Sequence, residues 1–223
     1  MPLKSAESVS TPRTARTWRH LRLAGIAAAL IALCYALTPP PDVRHRASMA
    51  SAYAAMIFLA WSLLLGPLNV LRSRPNPISF NLRRDVSIWA GILALLHTTV
   101  GLTVHLRGRM WMYFFANLHP LKLQKTLFGF ANYIGLLAAL LFLGLLLLSN
   151  DLSLRSFGTK RWKTLQRLAY VAFFLTILHG WAFQSVEKRK ISWVAVFWFI
   201  TATAVVTQLI GLFQRINSRT RKR

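Results

Sequence analysis

Six apolar stretches, at about 23–38, 48–70, 86–106, 127–148, 168–186 and 192–213, constrain this chain more than any other feature. Most reach the ~20 residues that an α-helix needs to cross ~30 Å of hydrocarbon. In lipid each backbone N–H and C=O must find its partner within the protein, so separate runs of this length satisfy themselves as helices. The chain is 55% hydrophobic yet carries a formal net charge of +23. A soluble domain does not combine those properties; a membrane domain with basic loops does. The expected class is therefore an all-α membrane protein. It is read as a six-helix transmembrane bundle over residues 23–213, with a flexible basic segment at 1–22 and a basic tail at 214–223.

The first stretch is short and ends at Pro39-Pro40-Pro41, which raises a signal-peptide reading, but it lacks a clear Ala-x-Ala cleavage pattern. It is read as a retained helix. Gly66 and Pro67 are read as the termination of the second helix.

Lys and Arg are distributed unevenly between the two sets of loops, nineteen against nine. The positive-inside rule then places both termini in the cytoplasm and the chain in the cell (inner) membrane as a multi-pass protein. Basic loops of this kind act as topology signals and touch lipid headgroups, so the charge calls for no nucleic acid. The five acids, Glu7, Asp42, Asp85, Asp151 and Glu187, fall in loops or at helix edges, which argues against a carboxylate-driven pump. Cys34 is the sole cysteine, which excludes an internal disulfide, Cys-based zinc or iron–sulfur sites and covalent haem attachment. Phosphate-binding loops, nucleophile elbows and His-Glu-x-x-His pairs are absent. Trp111, Trp162 and Trp193 lie near helix boundaries, where interfacial anchoring is their default role.

Two histidines lie inside the apolar runs. His97 is 13 residues beyond Arg84 and His179 is 12 beyond Arg167. At ~1.5 Å per residue, both sit ~18–20 Å from the last inner arginine and level with each other. An imidazole in hydrocarbon is costly unless its nitrogens are occupied, and a metal occupies them well. A haem clamped between two helices requires this matching depth. Small residues share their faces: Ala90, Ala94 and Gly101 with His97, Ala172, Thr176 and Ala182 with His179. Such residues leave room for a macrocycle, but they equally let two helices approach. A lone intramembrane His is more often a packing residue than a ligand; two at one depth favour ligation. His105, eight residues after His97, is a weaker candidate as a propionate partner or alternative ligand, or a plain interfacial residue beside Arg107 and Arg109. Lys122 and Lys125 join those arginines as candidates for pairing with propionates or an acidic partner, or for anchoring alone. His20, His45 and His119 are read as solvated.

Two stretches carry a family resemblance. Asn81-Leu82-Arg83-Arg84, leading to Leu95-Leu96-His97, resembles the third helix of the ferric-reductase-like transmembrane domain family. Lys160-Arg161-Trp162-Lys163-Thr164-Leu165-Gln166-Arg167-Leu168-Ala169-Tyr170, followed by His179, resembles that family's border to its fifth helix. Within it, the chain is most similar to the haem-binding membrane subunit of the methionine-sulfoxide reductase system, over about residues 48–210. The resemblance implies a helical bundle that binds haem b through His97 and His179 as axial ligands and passes electrons through the membrane. It implies a donor, either quinol or a flavin reductase, and a soluble extracytoplasmic reductase as acceptor; FMN enters as a cofactor by resemblance only. Such a chain is an electron-transfer subunit of an oxidoreductase system rather than a self-sufficient enzyme. Members commonly have a second His pair 13 residues before the outer ligands. Here those places hold Gln166 and Arg84, neither a usual haem ligand, so one haem is expected. Two other classes compete, a cofactor-free transporter and a structural subunit. No inverted repeat or buried acid favours the first.

Overall fold

The computed structural model describes residues 13–39, 42–72 and 77–220, and it is almost wholly helical. Helices α1 (Arg13–Leu37), α2 (Val43–Leu71) and α3 (Pro77–Gly101) come first. Two single 3₁₀ turns (Leu106–Gly108, Met110–Tyr113) and a small antiparallel hairpin, β1 (Phe115–Leu118) with β2 (Leu121–Leu123), follow. Then come α4 (Leu127–Leu148), α5 (Asp151–Gln166), α6 (Leu168–Val186) and α7 (Ile191–Thr220).

The all-α expectation holds, and five helical stretches are long and apolar enough to cross a bilayer: Thr14–Leu37, Val43–Leu71, Leu127–Leu148, Asp151–Val186 and Ile191–Gln214. The third expected span, α3, is 25 residues long but is not among them. Its run contains Arg83, Arg84, Asp85 and His97, which lower its mean hydropathy. The surface is inverted relative to a soluble protein. Phe199, Leu147 and Phe174 are exposed, whereas Ala54, Ala131, Ala172, Ala182 and Ala204 are fully buried. Small residues bring helices close while large apolar ones face outward, as lipid-embedded bundles require.

Several boundaries differ from expectation. Residues 13–22, expected to be flexible, form the start of α1; residues 1–12 lie outside the described part. The tail is helical to Thr220, and 221–223 lie outside. The basic loop after α4 is itself a helix, α5, capped by the Asn150 side chain, which accepts from Ser153 N at 2.7 Å. Trp162, expected at an interface, is buried, and its Nε1 donates to Leu148 O at the end of α4 (2.8 Å). Asp85 also departs from its reading as an edge residue: it is only 2% exposed, ion-paired to Arg19 Nε at 2.9 Å with His20 Nε2 at 3.5 Å. His20, expected to be solvated, accepts from Trp89 Nε1 on its other nitrogen (3.3 Å). These contacts pin α1 to α3.

Pro67 does not terminate the second helix; α2 runs through it to Leu71. Proline has no N–H to give the carbonyl four residues back, which is that of Leu63. Gln208 on α7 supplies the missing donor, its Nε2 lying 2.6 Å from Leu63 O. Gly211, one turn further along α7, lets the Pro67 ring approach: a Cβ there would lie 2.8 Å from the proline Cβ. The freed carbonyl thus has a partner inside the bundle, as lipid demands.

Helix α2 is central, packing on α1, α3 and α7, while α4 packs on α3 and α6. Two helix pairs, α2 with α3 and α4 with α6, face each other across a cavity.

Candidate functional site

His97 projects from α3 and His179 from α6, and both line this cavity. Their ring centres are 6.2 Å apart, with the planes at 71°. His97 Nδ1 lies 3.0 Å from Ser48 O on α2, and His179 Nδ1 lies 2.9 Å from Ala131 O on α4. A carbonyl oxygen can only accept, so each Nδ1 must carry the proton and donate. Each Nε2 is then an unprotonated lone pair, with no protein partner among the described residues. The arrangement is the one by which ligating histidines are held: one nitrogen tied to a backbone oxygen, the other free for a metal.

Each helix pair supplies an imidazole from one member and its orienting carbonyl from the other. One glycine makes space for a ring: a Cβ on Gly135 of α4 would lie 2.6 Å from His179 Nδ1, whereas one on Gly101 of α3 would make only ordinary contact, 3.8 Å from His97 Cε1. A metal–imidazole bond is ~2 Å long and the ring centre lies ~1 Å behind its nitrogen, so two imidazoles across one ion have centres ~6 Å apart. The observed separation meets that condition. Among the described residues no group of three or more His, Cys, Asp or Glu is arranged to hold a metal ion. An ion gripped by this pair alone would have to bring its remaining ligands with it.

The cavity is partly open to its surroundings. Its walls are apolar around the two imidazoles, with Met56, Leu59, Ala138, Phe142 and Phe183 among them. Polar groups gather at the mouth, where α3 and α6 end and α2 and α7 begin. His105 Nε2 lies 2.7 Å from Glu187 Oε1, and His45 Nδ1 lies 3.7 Å from Glu187 Oε2. The hydrogen bond from His105 holds the Glu187 carboxyl below the usual carboxylate range, against the opposing effect of burial. Tyr113 Oη accepts from His105 N (2.7 Å) and donates to Gly101 O (3.0 Å), tying this loop to the end of α3.

His97 and His179 are therefore brought together. His105 lines the same cavity, paired with Glu187. Arg107, Arg109, Lys122 and Lys125 are all exposed and do not line it. Arg189 does, together with His45, Glu187 and Tyr113, four residues that sequence reasoning did not assign to the site. Glu187 follows His179 by eight residues, as His105 follows His97, but α3 ends at Gly101, so helical rise does not carry the count to His105 and the turn that follows sets the pairing.

At the opposite end, the two positions expected to lack a second haem converge on Ser149. Arg84 donates to Ser149 O through Nε (3.2 Å) and Nη2 (2.9 Å), and Gln166 Nε2 lies 3.4 Å from Ser149 Oγ. Arg84 Nη1 also reaches Asp151 Oδ1 at 2.8 Å. The space between these positions is bridged by hydrogen bonds.

No model of a known protein family matches the chain.

Proposed function

We propose that this protein is a b-type haem-binding membrane subunit that carries electrons through the bilayer, with His97 and His179 as the axial ligands of one haem. One observation carries the reading: two imidazoles at metal-bridging separation, each oriented by a backbone carbonyl, on a single apolar cavity. Two imidazoles from different helices would hold a haem between them, and the glycine at 135 keeps the space of the His179 ring clear. When bound, haem would supply one-electron redox chemistry. The chain's own part is to fix both tautomers, exclude water with the apolar walls and set the charge at the mouth.

In this reading α3 is the sixth span. It packs between α2 and α4, so its polar residues need not face lipid. Both termini lie in the cytoplasm, and the His105–Glu187 end faces outward. The resemblance to the ferric-reductase-like family supplies the rest: a quinol or flavin-reductase donor and a soluble extracytoplasmic reductase as acceptor. The Arg84–Ser149–Gln166 cluster supports a single haem per chain.

The test is optical. Purified protein is expected to show a Soret band and sharp low-spin α and β bands on reduction, with about one haem per chain by pyridine haemochrome. His97→Ala and His179→Ala should each abolish the low-spin bands. A colourless wild type, or bands that survive both substitutions, refutes the assignment.

A further inference from the structure

The mouth of the cavity has an unbalanced charge inventory. Among the described residues that line the cavity the one acid is Glu187, which is engaged by His105 through one oxygen and lies near His45 through the other. Arg189 lines the same cavity but has no ion pair within 4.0 Å among the described residues. Burial lowers its guanidinium below the ordinary arginine range, so water compensates the charge poorly there.

The local fold explains why Arg189 faces inward. Helix α6 ends with Glu187 as C-cap, Lys188 in the left-handed region (φ 45°) and Arg189 N bonded to Gln184 O at 3.2 Å. This is a Schellman turn, which folds the third residue back over the end of the helix. Glycine is usual at the left-handed place; here a lysine takes it, and the exposed Lys188 and half-buried Arg189 separate. A half-buried guanidinium within reach of the Glu187 charge but with no anion in contact among the described residues, at the edge of an apolar cavity, is an incomplete pair.

We propose that Arg189 is the binding residue for a haem propionate, an inference that rests on the haem-binding function proposed above. A guanidinium donates two parallel N–H groups to a carboxylate, so it fixes the orientation of the macrocycle as well as adding affinity. The exposed Arg107, Arg109, Lys122 and Lys125 play no part in that contact.

The experiment compares haem with haem dimethyl ester, whose propionates are masked, titrated into detergent-solubilised apoprotein and followed by absorbance. Wild type is expected to bind haem about tenfold or more tightly than the diester. Arg189→Leu should bind both with equal, diester-like affinity, and Arg189→Lys should retain part of the preference. A wild type that binds both equally overturns this proposal while leaving the haem assignment intact, and it does so whether or not the variants fold. A wild type that binds neither overturns both. Oleate presents the same carboxylate on a flexible chain and is expected not to compete. Displacement of haem by oleate from wild type, but not from Arg189→Leu, would reassign the site to fatty acids and overturn the proposal.

Discussion

Replacing Gly135 by alanine tests the imidazole geometry without touching either imidazole. The added Cβ would lie 2.6 Å from His179 Nδ1 and 2.7 Å from Cε1, whereas ordinary van der Waals contact begins at 3.4 Å. The ring must therefore retreat by ~0.8 Å, because packed interiors leave no slack to share. It has little freedom to do so: Nδ1 is bonded to Ala131 O at 2.9 Å, and the Phe183 ring sits 4.9 Å away. Ala131 is one turn before Gly135 on α4, so the same helix supplies both the hydrogen bond and the new clash. Metal–ligand distances tolerate only ~0.2 Å, so the free Nε2 would leave bonding range. The expected result is a ~10–100-fold loss of haem affinity and ~1–3 kcal/mol of destabilisation in the apoprotein. Haem titration and thermal unfolding in detergent measure the two effects. Gly144→Ala on the same helix is the control. No atom lies within 4 Å of its Cβ position, so it should leave haem binding unchanged and gain ~0.5–1 kcal/mol from helix propensity. A Gly135→Ala protein with wild-type bands and wild-type affinity would refute the cradle and the ring placement it rests on.

Gln208→Leu should cost ~1 kcal/mol by leaving Leu63 O unpaired at membrane depth, and the cost should vanish in a Pro67→Ala background, where residue 67 regains its N–H. Unfolding of the four proteins of that cycle measures it. Arg19→Ala leaves the buried Asp85 carboxylate with only His20 and should destabilise by ~3 kcal/mol in the same assay. For Glu187, the pKa in the folded protein is depressed by His105, so its contribution is complete above the unfolded value of ~4.3 and is lost as pH falls through the lower folded value. The stability advantage of wild type over Glu187→Gln should therefore be present at pH ~6 and shrink below pH ~4. An advantage that persisted unchanged in acid would show that the pair contributes nothing through ionisation.

The long apolar runs were legible because a bilayer imposes a length and a composition on any element that crosses it. The level placement of His97 and His179 was legible for a related reason: a helix converts residue number into depth at a fixed rise. The same counting fails for His105 and Glu187, because α3 ends at Gly101 and the turn that follows sets where His105 sits. Polarity alone was a poor guide to exposure. Asp85 and His20 are polar residues, yet they join α1 to α3, because Arg19 and His20 both pair with the Asp85 carboxylate. Pro67 looked like a stop signal, and only a donor from α7, 141 positions later in the chain, allows the helix to continue. Loop arginines also looked alike, since the direction of Arg189 depends on the φ of the residue before it.

By itself the sequence determined an all-α, lipid-facing protein with two imidazoles at one height, since hydrophobic length and helical rise are local properties of a chain. Rotation of each helix about its own axis is not local; it follows from which faces pack. Only the tertiary structure could therefore decide that the two rings turn toward one another, that Ser48 and Ala131 hold them by their Nδ1 protons, and that Arg189 rather than its exposed neighbours guards the opening.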